Sequence, residues 1–468
     1  MRISFFFIYI LVSLSSLYTQ PLPSRYQLAW HETEFNLFMH FGPNTFTGKE
    51  WGEGTEAVDL FNPTDLDCRQ WCRIAKQAGA KGIIITAKHH DGFCLWPSKY
   101  STHTVKESKW RNGKGDVLKE LSKACKEYGL KFGVYLSPWD RNHPDYGTEK
   151  YNEVFVNMLK EIFTNYGPVW ELWWDGANGE GPNGKKQQYD WKRFEAVVRQ
   201  YSPRTVVFSD IGPDIRWVGN ENGIAGTTNW NFLDTAGFKR GEGAPATDTL
   251  SFGNYNGNQW IPAECDVSIR PGWFYHTKED AAVKKPEQLF DLYLKSVGRG
   301  AVLLLNVPPD TRGLLHENDS AALVSFKKLK DENFAQNLLL NADTYYQFSE
   351  KDFRNSPVVL RGFDTTANYY GMNLQNFTVQ LQRPTAMNCI VLREAIHLGQ
   401  TVRKFSVVLY NGETKVGEIV GTSIGRKRIL TFPAKTVTSF KVFIVDAKGN
   451  DNVSGVAAYL MDEKLVEH

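Results

Sequence analysis

The chain has 468 residues, with 54 Lys and Arg against 52 Asp and Glu and a formal charge of +2, so bulk attraction to nucleic acid or to an anionic membrane is not expected. With 42% hydrophobic and 23% charged residues it is globular, which excludes the disordered and fibrous classes, and its length corresponds to about three average domains. Aromatics make up 13% of the chain, 14 of them Trp; such rings mostly fill cores, and where exposed they offer flat platforms to sugars.

Arg2, the apolar run Phe5 to Leu14 and the small polar residues Ser15, Ser16 and Thr19 have the pattern of a secretory signal peptide over residues 1–20. About ten apolar residues fall short of the roughly 20 that span a bilayer, so the mature chain is expected to be exported without membrane insertion, to a periplasm or to the outside. The cysteines Cys68, Cys72, Cys94, Cys125, Cys265 and Cys389 are scattered. Only Cys68 and Cys72 lie close, and a zinc site would need two more ligands at similar spacing, so buried free thiols are expected.

From residue 36 to about 307 apolar β-branched runs alternate with amphipathic helical segments, the rhythm of parallel βα units. The expected strands are Asn36 to Gly42, Gly82 to Lys88, Lys131 to Pro138, Glu171 to Gly176, Thr205 to Asp210 and Ala301 to Val307, with weaker signals at Gly226 to Trp230 and Ala263 to Ile269. Eight strands fit a closed (β/α)8-like barrel over residues 21–338. The stretch after the fifth strand lacks clear helices, so the outer ring is expected to be irregular. Beyond the helical segment Ser320 to Gln336, short alternating runs such as Thr378 to Leu381, Cys389 to Leu392, Phe405 to Tyr410, Lys427 to Phe432 and Ser439 to Val445 indicate a C-terminal β-sandwich over residues 339–468.

Reactive groups of such barrels sit where strands end at their C-terminal side. His40, His89, His90, Asp91, Tyr135, Trp139, Trp173 and Asp175 all follow or close apolar runs, and a loop after the first strand adds Glu50 and Trp51. A metal hydrolase would need a further Asp or His late in the barrel, but the last strand ends in Asn306. A phosphate-binding barrel would place a glycine-rich turn after its last strand, but Gly298-Arg299-Gly300 precedes it. No metal or cofactor is therefore expected. Imidazoles and indoles around carboxylates suit hydroxyl recognition and stacking on a sugar face, which points to glycoside cleavage.

That chemistry needs two carboxyl groups, one ionised and one protonated, about 5 Å apart when configuration is retained. Asp175, following Trp173 and Trp174, is the candidate nucleophile. For the acid two residues compete: Glu221, in the loop 216–223, and Glu264, in the segment 260–266. Arg216 either touches substrate or pairs with Glu221 or Asp175.

Four segments together resemble the α-L-fucosidases of glycoside hydrolase family 29: Phe-Met-His-Phe-Gly at 38–42, His-His-Asp-Gly-Phe at 89–93, Trp-Trp-Asp-Gly at 173–176 and Gly-x-x-Leu-Leu-Leu-Asn-Val at 300–307. The resemblance runs in order from about residue 30 to 310. It implies a retaining exo-α-L-fucosidase with Asp175 as nucleophile, and a fucose pocket shaped by His40, His89, His90, Glu50, Trp51, Tyr135 and Trp173. Arg-Trp-Val-Gly-Asn-Glu at 216–221 is similar to the subgroup acting on α-1,3 and α-1,4 linkages of branched glycans, where this Glu is the acid/base, which favours Glu221 over Glu264. The implied partner is a fucosylated oligosaccharide. A broad-specificity α-L-fucosidase, a transfucosidase, a non-catalytic glycan-binding protein and an α-galactosidase-like specificity are the competing readings.

Overall fold

The computed structural model describes residues 20–340, 342–349, 352–355, 376–449 and 453–466. The segment read as a signal peptide lies, up to residue 19, outside the described residues.

The first half of the barrel alternates α1 (Arg25–His31), β1 (Phe35–Met39), α2 (Asn44–Thr47), α3 (Cys68–Gln77), β2 (Gly82–Lys88), α4 (Val117–Tyr128), β3 (Lys131–Leu136), α5 (Glu149–Asn165), β4 (Glu171–Trp173), α6 (Trp191–Tyr201) and β5 (Val206–Ser209). Then come β6 (Ile215–Trp217), the small pair β7 (Phe232–Leu233) and β8 (Gln259–Trp260) with α7 (Thr247–Phe252) between them, β9 (Ala263–Ser268), α8 (Pro286–Lys295), β10 (Val302–Asn306) and α9 (Glu317–Asn333). Helix ends follow local chemistry: the Asp67 and Asp116 carboxylates accept the first free N–H groups of α3 and α4, and Gly129 closes α4 in the left-handed conformation.

Eight strands close in the order β1-β10-β9-β6-β5-β4-β3-β2, all parallel. Strand alternation then decides which residues meet substrate. Phe38, Ile84, Tyr135, Trp173, Phe208, Ile215 and Leu304 pack together inside the barrel. Their neighbours Leu37, Ile83, Ile85, Val134, Leu172 and Trp174 face outward onto the helices.

The sixth barrel strand differs from expectation. It is Ile215–Trp217, and Gly226 to Trp230 is not a strand. Three residues carry too little alternation to stand out, whereas Gly226 to Trp230, with its two Thr and a Trp, has strand-like composition but docks elsewhere. Its Asn229 N–H donates to Ser423 Oγ of the C-terminal domain at 3.1 Å. No helix joins β5 to β6, and only the short α7 lies between β6 and β9, so the helical ring is interrupted where the sequence lacked helical periodicity.

The C-terminal domain is antiparallel: β11 (Asp343–Ser349), β12 (Asp352–Asn355), β13 (Asn376–Glu394), β14 (Val402–Asn411), β15 (Thr414–Gly421), β16 (Arg428–Ala447) and β17 (Val453–Tyr459). Runs that look separate in sequence are halves of two long strands. Register shifts between Gln380 and Thr385 and between Met387 and Cys389 interrupt the β13–β16 ladder, so one half of β13 pairs with β11 and the other with β17. The result is the barrel followed by a β-sandwich. All six cysteines are buried free thiols.

Candidate active site

The inward-facing residues at the C-terminal ends of β1 to β4 converge on Asp175. Its carboxylate accepts the Tyr135 hydroxyl at 3.1 Å and the backbone N–H of Ala177 at 2.7 Å, two bonds that fix its orientation. His90 Nε2 stands 3.8 Å from the same carboxylate. Under it the Trp173 ring stacks on Phe208 at 3.8 Å and on Tyr135 at 5.4 Å, so the base of the pocket is a packed aromatic surface.

The histidine tautomers follow from their second partners. Asn306 gives its amide hydrogens to Ser268 Oγ (2.9 Å) and to the Trp273 carbonyl (2.8 Å), so its oxygen accepts from His40 Nδ1–H at 2.8 Å. Ser137 donates to the Trp139 carbonyl at 2.8 Å and therefore accepts from His90 Nδ1–H at 2.8 Å. In both rings Nε2 is left as an acceptor. Burial pushes His40 and His90 down to about 4 and His89 well below its ordinary value. The three imidazoles are therefore neutral at physiological pH. Two acceptors, His90 Nε2 and Asp175, face each other with no hydrogen between them, an arrangement that a sugar hydroxyl satisfies.

The rim comes from loops. Trp51 is 54% exposed and sets its edge against His90 (5.4 Å) and Trp139 (5.5 Å). Its loop is pinned by Arg141, which donates to the Gly52 carbonyl, and by Asn142, which donates to the Gly54 carbonyl at 2.7 Å. The loop holding Arg141 and Asn142 is itself anchored by the buried Lys88–Asp140 ion pair (3.0 Å), with the Tyr151 hydroxyl 3.1 Å from both charged groups. Glu50 accepts the Trp273 N–H at 2.7 Å and faces His276 at 2.5 Å. The Trp273 indole, 5.1 Å from His40, donates to the Glu221 carboxylate at 3.1 Å. One side chain thus ties the pocket to Glu221, and its backbone N–H ties it to Glu50.

Two candidates lie elsewhere. Glu264 is the second residue of β9 and sits inside the barrel beneath the Trp173 indole, which donates to it at 3.0 Å. Its buried neighbour Glu171 accepts from Trp30 at 2.9 Å, and burial, with Glu264 beside it, pushes the Glu171 carboxyl up. Burial pushes Glu264 up to about 7, and Trp173 separates it from Asp175. Arg216, in the middle of β6, points outward. It pairs with neither Glu221 nor Asp175, but donates to the Leu250 and Ile261 carbonyls and to Asn229. It braces the insertion between β6 and β9.

Sequence reasoning did not single out Trp273, Phe274, His276 or Ser137, and it treated Asn306 only as an absent metal ligand. Trp273 and Phe274 follow Ala263 to Ile269, so collecting the residues beyond that weaker strand would have found them. The pairing of Asn306 with His40 across β1 and β10 has no local signature.

A barrel whose C-terminal mouth holds a hydrogen-bonded carboxylate, neutral imidazoles and a second carboxylate on an aromatic rim belongs among the glycoside hydrolases. Comparison with known proteins is specific. The α-L-fucosidase family model matches residues 13–329. Alpha-L-fucosidase 1 of Arabidopsis thaliana is 40% identical over 98% of this chain and 94% of that protein. A glycoside hydrolase family 29 member from an unknown rumen bacterium superimposes with a TM-score of 0.84 at 40% identity, over 95% of this chain and 78% of that one. A Ruminococcus gnavus family 29 fucosidase, solved in complex with fucose, superimposes with a TM-score of 0.85 at 30% identity, over 96% of each chain. The chain belongs to the α-L-fucosidases of glycoside hydrolase family 29.

Proposed function

We propose that this α-L-fucosidase removes terminal α-1,3- or α-1,4-linked L-fucose from branched oligosaccharides with retention of configuration. The observation that carries the reading is the division of labour between two carboxylates. Asp175 is held on the pocket floor by Tyr135 and the Ala177 N–H, while Glu221 is held at the open rim by Trp273. Asp175 attacks the anomeric carbon, and Glu221 in its acid form protonates the departing oxygen. Glu221 then takes a proton from the water that attacks the glycosyl-enzyme, restoring both groups. His40 and His90 accept fucose hydroxyls through Nε2, the Tyr135–Trp173 surface carries the sugar's apolar face, and Trp51 closes over it. The loop 216–221 is the support for the linkage preference. The signal-peptide character of residues 1–20 supports export of the mature enzyme to a periplasm or to the outside.

Purified enzyme offered 4-nitrophenyl α-L-fucoside, Lewis-a and Lewis-x trisaccharides and 2'-fucosyllactose tests the reading. Fucose release from the Lewis sugars with little from 2'-fucosyllactose is expected. Release mainly from 2'-fucosyllactose and the aryl fucoside removes the linkage assignment.

A further inference from the structure

Between β6 and β9 the chain leaves the barrel wall, and its segments 227–234 and 252–256 line an open cleft of about 600 Å³, within the size range of small-ligand sites. Asn229, beside the cleft wall, donates to the Arg299 carbonyl at 3.0 Å, just ahead of β10. The start of a strand lies at the end of a parallel barrel opposite the catalytic mouth, so the cleft is no extension of the fucose pocket.

The cleft holds an aromatic platform. Phe252 closes α7 and lies over Gly226, where any side chain would collide with the ring, while 40% of Phe252 stays exposed. Trp230 sets against Tyr255 at 5.0 Å and 65°, and Arg403 of β14 lies 4.7 Å over the Tyr255 ring. The Trp230 backbone N–H donates to the Phe252 carbonyl at 2.7 Å, and that of Asn254 to the Phe232 carbonyl at 2.8 Å. The sandwich adjoins through the Thr228 and Thr422 hydroxyls, 2.5 Å apart.

Polar groups on the walls keep hydrogen-bonding capacity to spare. Asn254 Oδ1 accepts the Asp234 N–H at 2.9 Å, which leaves both amide hydrogens, and Asp234 Oδ1 accepts the Ala236 N–H at 3.0 Å, which leaves Oδ2. Asn256 meets Lys448 through Oδ1 at 3.4 Å and keeps its amide hydrogens as well. The Trp230 side chain is 6% exposed, and its indole N–H has no acceptor among the described residues. A donor so deeply placed calls for an acceptor from outside the chain. Asp234 is the single charged side chain of the lining. It repels a phosphate, and one carboxylate does not make a cation site. Neutral amides, an indole N–H and one open ring instead match the hydroxyls and the apolar face of a sugar.

We propose that this cleft is a second carbohydrate site, which takes a neutral hexose unit of a glycan chain on the open face of Phe252, with its hydroxyls bonded to Asp234, Asn254 and the Trp230 N–H. Set at the far end of the barrel, it tethers the enzyme to glycan-rich material while the mouth trims other chains, whose effective concentration rises. Such a site serves a fucosidase of any linkage preference.

The test is saturation-transfer difference NMR of lactose with the full chain, at an L-fucose concentration that fills the catalytic pocket. Saturable transfer with a Kd of about 1 mM is expected. Phe252→Leu keeps apolar bulk over Gly226 but loses the flat face, and should weaken binding about fivefold or more. Asn254→Asp keeps the acceptor for the Asp234 N–H but loses both donors, and should weaken it about fivefold, the loss of one neutral hydrogen bond. Unfolding midpoints within about 2 °C of wild type keep folding out of the comparison. Crystals soaked in lactose should show a hexose ring against Phe252. Absence of saturable transfer, or transfer equal in the wild type and both variants, which would put lactose at the catalytic mouth, overturns the proposal.

Discussion

Trp273→Phe isolates the contact that positions Glu221. Phenylalanine keeps a ring against His40, 5.1 Å from the indole it replaces, and keeps the backbone N–H that Glu50 accepts at 2.7 Å. What it loses is the indole N–H held by Glu221 at 3.1 Å. A hydrogen bond to a charged group contributes about 1.5–3 kcal/mol. This one is open to solvent at the rim, so the lower end applies, and about 1.5 kcal/mol corresponds to about tenfold in rate. The loss should appear where protonation of the leaving group matters. Steady-state kinetics should show kcat on a Lewis-type trisaccharide falling about tenfold while kcat on 4-nitrophenyl α-L-fucoside, whose phenolate leaves unaided, changes little. Equal losses on both substrates would mean that Trp273 shapes the fucose pocket and does not position Glu221. No loss on either would refute the reasoning altogether.

Glu221→Gln should reduce trisaccharide turnover by about 10²–10⁴-fold, the usual contribution of general acid–base catalysis. Glu264→Gln, beneath Trp173 and able to keep that bond, should stay within about threefold of wild type in the same assay. The pH profile of kcat/KM on the aryl fucoside should hold from pH 7 to about 5 and fall steeply below. His40 and His90, pushed down to about 4 by burial, lose their acceptor lone pairs only when protonated there; a fall beginning near 6.5 contradicts the assigned tautomers. Lys88→Met strands the Asp140 carboxylate in the interior and should cost about 3–5 kcal/mol in urea unfolding. Burial pushes Asp140 up, but Lys88 and the His143 N–H more than offset it and hold it below its ordinary value. Its contribution is therefore present above pH about 4 and is lost as pH falls through the lower folded value; a variant as stable as wild type at pH 7 contradicts this.

Much of the architecture was legible because parallel barrel strands are buried on both faces and stand out as apolar runs. Five of the first five strands and the last coincide with such runs, from Phe35–Met39 to Val302–Asn306. The sixth did not, since Ile215–Trp217 is too short for a period and its central Arg216 breaks the apolar pattern. Burial of that arginine is made possible by carbonyls of Leu250 and Ile261, 34 and 45 residues away, a distance over which sequence reading has no purchase. The strand-end rule collected His40, His89, His90, Tyr135, Trp173 and Asp175 because barrel topology makes the C-terminal end of every strand a neighbour of the others. Glu264, a rival acid only because the segment 260–266 carries a carboxylate, stands at the start of β9 and so lies deep in the barrel; knowing where a strand begins matters as much as knowing that it exists. Pairings such as Trp273 with Glu221 join loops 52 residues apart and emerge only in three dimensions.

The central claim is that Asp175 is a nucleophile and Glu221 its acid/base. Proton NMR of the first fucose released from 4-nitrophenyl α-L-fucoside, followed faster than mutarotation, tests it most directly. The account predicts α-L-fucose as the initial anomer, with Asp175→Ala abolishing turnover while leaving the unfolding transition intact. Initial release of β-L-fucose would show a single displacement by water and contradict it.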